Sequence, residues 1–301
     1  MNSNNILYYH NPCQDGFASM FVANKFLKDC HIVPYSHGQN IQDIYTGKTI
    51  YFLDMAPSLE VFHKLNKSNR VIILDHHISN YKEYKDIMEK NKDIIIKMEN
   101  SGVGVVWEYF TDVPMPYFLK LIEDRDLWKF NYPETKEFCE ALYFTTSSTD
   151  SFSESMAIFD ELYENPEKLQ YYLNLGKLLV KQKNNKIKYL TDKYIQKVYK
   201  YEGHNLCMAN VENDLVSDLG NSLSSRPECD FAILWRYDHE YEKYNLSFRS
   251  TDKVDVSEIC KKFGGGGHKN AAGCSIQKHP LKVFNDEYKK LKEKFKFYAN
   301  I

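Results

Sequence analysis

The chain is 301 residues long, 43% hydrophobic and 27% charged, with a formal net charge of -2. That length holds one large core or two ordinary ones, and the near-neutral balance gives no global pull toward nucleic acid or an anionic membrane: a polyanion site must be a local cluster, and long duplex DNA is disfavoured as a partner. Seven cysteines without a C-x-x-C pair fit neither a disulfide scaffold nor a zinc ribbon and make a reducing compartment the simpler reading, and with no run of membrane-span length and a polar start that lacks a signal pattern the expected location is the cytoplasm.

Ile6 to Tyr9 reads as a strand ending in His10, followed by a helix from about Asp15 to Lys28. His31 to Tyr35 is a further strand, then Ile50 to Leu53 ending in Asp54, and Val71 to Leu74 ending in Asp75-His76-His77. The runs ending in His10, Asp54 and Asp75 are continuously apolar, as strands covered on both faces are. Ile94 to Ile96 precedes Ser101-Gly102, which caps a helix running to about Phe110. Leu121-Ile122-Glu123, ending in Asp124, reads as a helix end. Such alternation implies crossover units and a parallel sheet over residues 1–150, whose strands release their carboxyl ends along one edge. That edge would collect His10, Asp54 and His76.

Residues 151–200 carry no strand signal and read as a helical connector rich in Leu, Lys, Tyr and Gln. Residues 201–301 read as a smaller mixed α/β domain. Its strands are Leu206 to Val211, Phe231 to Tyr237 and Tyr244 to Arg249, followed by the glycine cluster Gly264 to Gly267 and a lysine-rich terminal helix at Lys289 to Lys294. The glycines leave backbone N–H groups unshielded, so a phosphate or base edge can approach them. Taken alone, four glycines also fit a flexible loop between helix and strand.

His10, Asp15, Asp54, His76 and Asp124 together offer imidazole and carboxylate ligands of the kind that suits manganese, iron, magnesium or zinc. Each acid alone has a plain use as a cap or turn residue. Asp75-His76-His77 is the sharpest piece, since a ligating histidine needs a supporting carboxylate nearby. Only five arginines occur among 39 basic residues; Arg125 and Arg249 could be kept for a two-pronged phosphate contact that lysine does not offer, and compositional bias accounts for their scarcity equally well. Tyr35, Trp128 and Phe263 could stack a base.

Asp75-His76-His77 after an apolar strand, His10 with Asp15-Gly16, Asp54 between them, and Glu123-Asp124-Arg125-Asp126-Leu127-Trp128 together resemble the DHH phosphoesterase superfamily. Ser247-Phe248-Arg249-Ser250, Phe263 to His268 and Ala271-Ala272-Gly273 resemble the domain that accompanies it in the nucleotide-cleaving branch. The resemblance, running from His10 to Gly273, implies a hydrolase with two divalent ions, manganese first and Fe, Mg, Co or Zn as substitutes. It implies that His10 and Asp54 hold one ion, that Asp15, Asp54, His76 and Asp124 hold the other, and that Asp54 bridges them. Asp75 is then expected to orient His76, and His77 to face the substrate phosphate. Cys13 stands where the family carries an acid, so the first site is expected to be weaker or to use the thiolate and a softer ion. Arg249, Gly265, Gly266, Gly267, His268 and Arg125 are the expected substrate contacts.

The implied activity is a phosphodiesterase that degrades short oligonucleotides or a signalling dinucleotide from one end through a two-metal-activated hydroxide. The alternatives within enzymes are a phosphatase of 3'-phosphorylated adenosine nucleotides and a hydrolase of pyrophosphate or polyphosphate, and the nucleotide-binding form of the glycine motif argues against a pyrophosphate-only site. A catalytically weak nucleotide-binding regulator is the alternative outside them.

Overall fold

A computed structural model describes residues 3–36, 39, 41, 45–147 and 151–288. The chain forms two compact units, Met1–Lys181 and Gln182–Ile301.

The first unit is built on a five-stranded, wholly parallel sheet of β1 (Asn5–His10), β2 (Cys30–Tyr35), β3 (Thr49–Leu53), β4 (Arg70–Asp75) and β5 (Ile94–Ile96), in the order β2-β1-β3-β4-β5. Alternate residues of each central strand feed two different cores. Leu7, Tyr9, Tyr51, Leu53, Ile72 and Leu74 face one core, while Ile6, Tyr8, Ile50, Phe52, Val71 and Ile73 face the other. Burial on both faces is why these runs are apolar without alternation. Each fully buried Leu, Ile or Phe is worth roughly 1.5–3 kcal/mol against exposure.

Helices α1 (Gln14–Phe26), α2 (Leu59–Asn66), α3 (Ile78–Met88), α4 (Gly102–Phe110), α5 (Tyr117–Asp126), α6 (Thr135–Ser147) and α7 (Phe152–Glu164) complete the layers. Residues of α1, α4, α5, α6 and α7 lie in the first core, and those of α2 and α3 in the second. Ser101 caps α4 as its sequence suggests, accepting from Gly104 N at 3.4 Å. The chain passes from β1 out to β2, then back across β1 to β3. The strand order therefore reverses between β1 and β3, the position where open α/β sheets hold ligands.

The connector is helical over α7 and α8 (Leu169–Tyr194), but its last residues form a strand, β6 (Val198–Tyr201). This edge strand is only four residues long, is interrupted by Lys200 and buries only Tyr201, so it lacks the longer apolar run that marks a strand in sequence. The division between the two units falls within α8.

In the second unit β6 is followed by β7 (His204–Asn210), α9 (Val216–Ser224), β8 (Phe231–Asp238), β9 (Lys243–Ser250), α10 (Val256–Lys261), β10 (Gly266–His268), β11 (Ala271–Ile276) and α11 (Pro280–Val283). The sheet is mixed, in the order β10-β11-β9-β8-β7-β6, with β7 and β8 parallel and the other neighbours antiparallel. The glycine cluster is therefore in part an edge strand, paired with β11 through Gly266 to His268. The lysine-rich run 289–294 lies outside the described residues.

Candidate functional site

Asp54 is the residue immediately after β3 and is 1% exposed. Its φ of 59° lies in the left-handed region, which Asp tolerates better than most residues but which still marks a constrained position. Its Oδ2 lies 3.2 Å from His10 Nδ1, at the end of β1, in a hydrogen bond. Its Oδ1 lies 3.2 Å from His76 Nε2, just past β4, yet has no aligned hydrogen-bond donor. Behind Asp54 the backbone of α4 comes very close: a Cβ on Gly102 would sit 2.5 Å from Asp54 Cβ and 2.6 Å from Oδ1. Only glycine fits there.

Asp15, in the first turn of α1, is clamped by the start of α4. Its Oδ1 accepts from Ser101 Oγ at 2.8 Å and Val103 N at 3.1 Å, and its Oδ2 accepts from Gly102 N at 2.6 Å. The positive end of a helix is a favourable place for a buried carboxylate. Asp15 Oδ2 is also 3.9 Å from His76 Nε2, and Asp126 Oδ2, at the end of α5, is 3.4 Å from the same nitrogen. The donors form three overlapping groups, each with its ligand atoms within 4.8 Å of one another: His10, Cys13 and Asp54; Asp54, His76 and His77; Asp15, His76 and Asp126.

These charges disturb one another. Burial and the Asp126 and Asp54 carboxylates push Asp15 well above the usual carboxylate range, and burial with the Asp54 charge pushes Asp126 up to about 6. Burial opposes the charge of Asp54 as well, but the His10 hydrogen bond and the adjoining His76 ring pull its pKa down. For His76 burial is outweighed by Asp54, Asp126 and Asp15, which raise it to about 10. Burial and the Asp54, Asp126 and Asp15 carboxylates raise the Cys13 thiol. A buried carboxylate oxygen without a protein donor, amid two more acids and imidazole nitrogens, is a donor set that divalent cations fit.

Two expectations require correction. Asp124 lies outside the three donor groups. It is 3% exposed and accepts from Asn131 N at 2.8 Å, Tyr132 N at 3.2 Å and Thr135 Oγ1, thereby fixing the turn into α6. The acid beside His76 is Asp126, which sequence reasoning passed over although it stands in the same motif. Residues two apart on a helix point about 200° apart, so only one of the pair can face the cluster. Asp75, in turn, holds His77 and not His76: its Oδ1 accepts from His77 Nδ1 at 2.8 Å and its Oδ2 from Asn80 Nδ2 at 2.6 Å. With a side-chain period of two, positions 75 and 77 share a side and position 76 faces the other way.

Arg125 lies with its guanidinium 4.2 Å from the Trp128 ring centre and 5.5 Å from that of Phe130. In the second unit Arg249 is partly buried, donating from Nη2 to Ser217 Oγ at 3.2 Å and from Nη1 to Phe248 O at 2.8 Å. Gly265 serves close packing, since a Cβ there would lie 2.1 Å from Gly273 O on β11, and Gly267 is similarly tight, 2.6 Å from Ala271 O. Gly266 faces open space, and His268 is exposed on the edge strand.

Residues 196–296 match the DHHA1 domain. The chain is 31% identical over 294 residues to an uncharacterized protein, R106, of Acanthamoeba polyphaga mimivirus, covering 90% of this chain and 67% of that one. It is 26% identical over 310 residues to oligoribonuclease NrnB of Bacillus subtilis strain 168, covering 92% of this chain and 74% of the relative. Among solved structures, the pGpG-specific phosphodiesterase PggH from Vibrio cholerae superposes with a TM-score of 0.51 at 15% identity, covering 99% of each chain, which is a likeness of fold.

Proposed function

Because the chain belongs to the DHH superfamily, in the branch that carries the DHHA1 domain, we propose that it is a metal-dependent phosphodiesterase of short oligonucleotides or signalling dinucleotides. The observation that carries this reading is Asp54, whose two buried oxygens face His10 on one side and His76 on the other. His10, Cys13 and Asp54 would hold one cation, and Asp15, Asp54, His76 and Asp126 a second, with Asp54 shared. When bound, two such ions, manganese first, supply charge neutralisation at the phosphoryl oxygens and activation of the attacking water.

The protein's own groups do the rest. Asp75 fixes the His77 ring by accepting from Nδ1, so proton exchange falls to Nε2. Nε2 is then the atom through which His77 would give a proton to the departing ester oxygen as water oxygen bonds to phosphorus. The α4 terminus keeps Asp15 in place.

A short substrate suits a chain with a net charge of -2, which lacks the basic excess that long polyanions call for. The name of the Bacillus relative, an oligoribonuclease, supports the same class. The test is incubation with manganese and, separately, a dinucleotide, a 3'-phosphorylated adenosine nucleotide and single-stranded DNA. The dinucleotide is expected to yield mononucleotides fastest, and Asp54→Asn, which keeps the side-chain shape and tolerates a left-handed φ, to abolish turnover with an unchanged circular dichroism spectrum. Turnover that survives Asp54→Asn, or no diester cleaved with Mn, Co, Fe, Zn or Mg, overturns the reading.

A further inference from the structure

The turn after α5 is strained in a way that the metal cluster does not explain. Trp128 (φ 56°) and Phe130 (φ 51°) both adopt the left-handed region, which bulky L residues rarely enter. Core burial does not account for it, because Trp128 stays 40% exposed. The turn is nevertheless held firmly: the Asp124 carboxylate takes Asn131 N and Tyr132 N, and the Asp124 carbonyl takes Lys129 N at 3.0 Å. Strain that the surroundings over-determine tends to sit at functional sites.

The chemistry on this turn is that of a nucleotide contact. Arg125 lies over Trp128, the Trp128 and Phe130 rings meet edge to face at 5.0 Å, and Lys136 Nζ lies 4.8 Å from the Phe130 ring centre. One cation over one ring is common, arising roughly once per 70–80 residues. Two aromatics of one strained turn, each met by a cation from a flanking helix, Arg125 of α5 and Lys136 of α6, are less so. Trp128 follows Asp126 by two residues, a span of at most about 7 Å, and Asp126 Oδ2 is 3.4 Å from His76 Nε2. That backbone span, between residues 126 and 128, is of the order of the reach from a nucleotide's phosphate to its base.

We propose that this turn is the base platform of the site: Trp128 stacks on the nucleobase next to the scissile phosphate, with Arg125 against the ring meeting the nucleotide's negative charge. The proposal rests on the phosphodiesterase reading above and adds to it the substrate feature that is recognised, the π-face of a base irrespective of its identity.

The experiment compares Trp128→Ala, Trp128→Phe and Trp128→Gly on a dinucleotide and on the same dinucleotide with either base removed. Trp128→Ala is expected to raise KM for the intact dinucleotide roughly five- to hundred-fold with little change in kcat. On one of the abasic substrates the difference from wild type is expected to vanish, and Trp128→Phe to retain most of the affinity. Trp128→Gly, which relieves the backbone but removes the same ring, is expected to lose affinity like Trp128→Ala. As a readout apart from turnover, AMP is expected to quench tryptophan emission in wild type and not in Trp128→Phe. An unchanged KM in Trp128→Ala, equal losses on intact and both abasic substrates, undiminished affinity in Trp128→Gly, or equal quenching in Trp128→Phe overturns the proposal. If wild type cleaves no diester, the functional reading fails by itself and the AMP measurement still decides the platform.

Discussion

Asp124 and Asp126 are two acids of one motif with opposite work. Asp124 gives its carboxylate to two backbone N–H groups and a threonine hydroxyl, while Asp126 gives one oxygen to the neighbourhood of His76, at a rim where its side chain is 26% exposed. Asp124→Ala would strand buried donors and is expected to cost at least about 2 kcal/mol of stability in denaturant unfolding. Asp126→Ala is expected to keep the fold and to lower turnover by more than roughly 100-fold, beyond what the loss of an outer supporting partner does. The reverse pattern, a stable but inactive Asp124→Ala beside an active Asp126→Ala, would restore Asp124 to the cluster.

At the scale of elements, the cluster depends on how closely α4 approaches the end of β3. The Ser101 cap starts the helix, its first N–H groups hold Asp15, and the missing side chain at Gly102 leaves room for Asp54. Alanine is the better helix former by about 1 kcal/mol, so Gly102→Ala should leave α4 intact and act only by displacing Asp54. We expect an unchanged circular dichroism spectrum and manganese affinity weakened at least about ten-fold by calorimetry. Unaltered affinity would mean that Asp54 is free to shift without consequence. The strand ends behaved as their sequence suggests, with His10, Asp54 and His76 gathered on one edge of the parallel sheet. Strand β6 and the pairing of the glycine run with β11 were not legible, because short edge strands bury one residue or none and leave no apolar period.

For the whole molecule, the first unit carries acids that repel one another in its interior, and cations that bind the folded cluster must stabilise it by mass action. At a hundred-fold excess over the dissociation constant the gain is about 2.7 kcal/mol, which for a unit of this size is a melting shift of roughly 5–10 °C. Chelation is therefore expected to lower the melting temperature of wild type and to leave Asp54→Asn much less affected, as read by scanning calorimetry. A wild-type melt indifferent to chelator and to added manganese would count against the cluster as a metal centre. No helix of the described residues is long and apolar enough to cross a membrane.

The residue string alone determined the parallel sheet, the edge on which its strands end and the identity of most of the clustered side chains, since continuous apolar runs and strand-terminal acids and histidines are local signals. Which of two acids on α5 turns inward, which histidine Asp75 holds, and that Trp128, two residues after Asp126, is set on a strained turn were decided only in three dimensions. Those choices depend on helix phase, on the side of the strand from which each residue departs, and on hydrogen bonds between segments far apart in sequence, none of which a one-dimensional pattern contains.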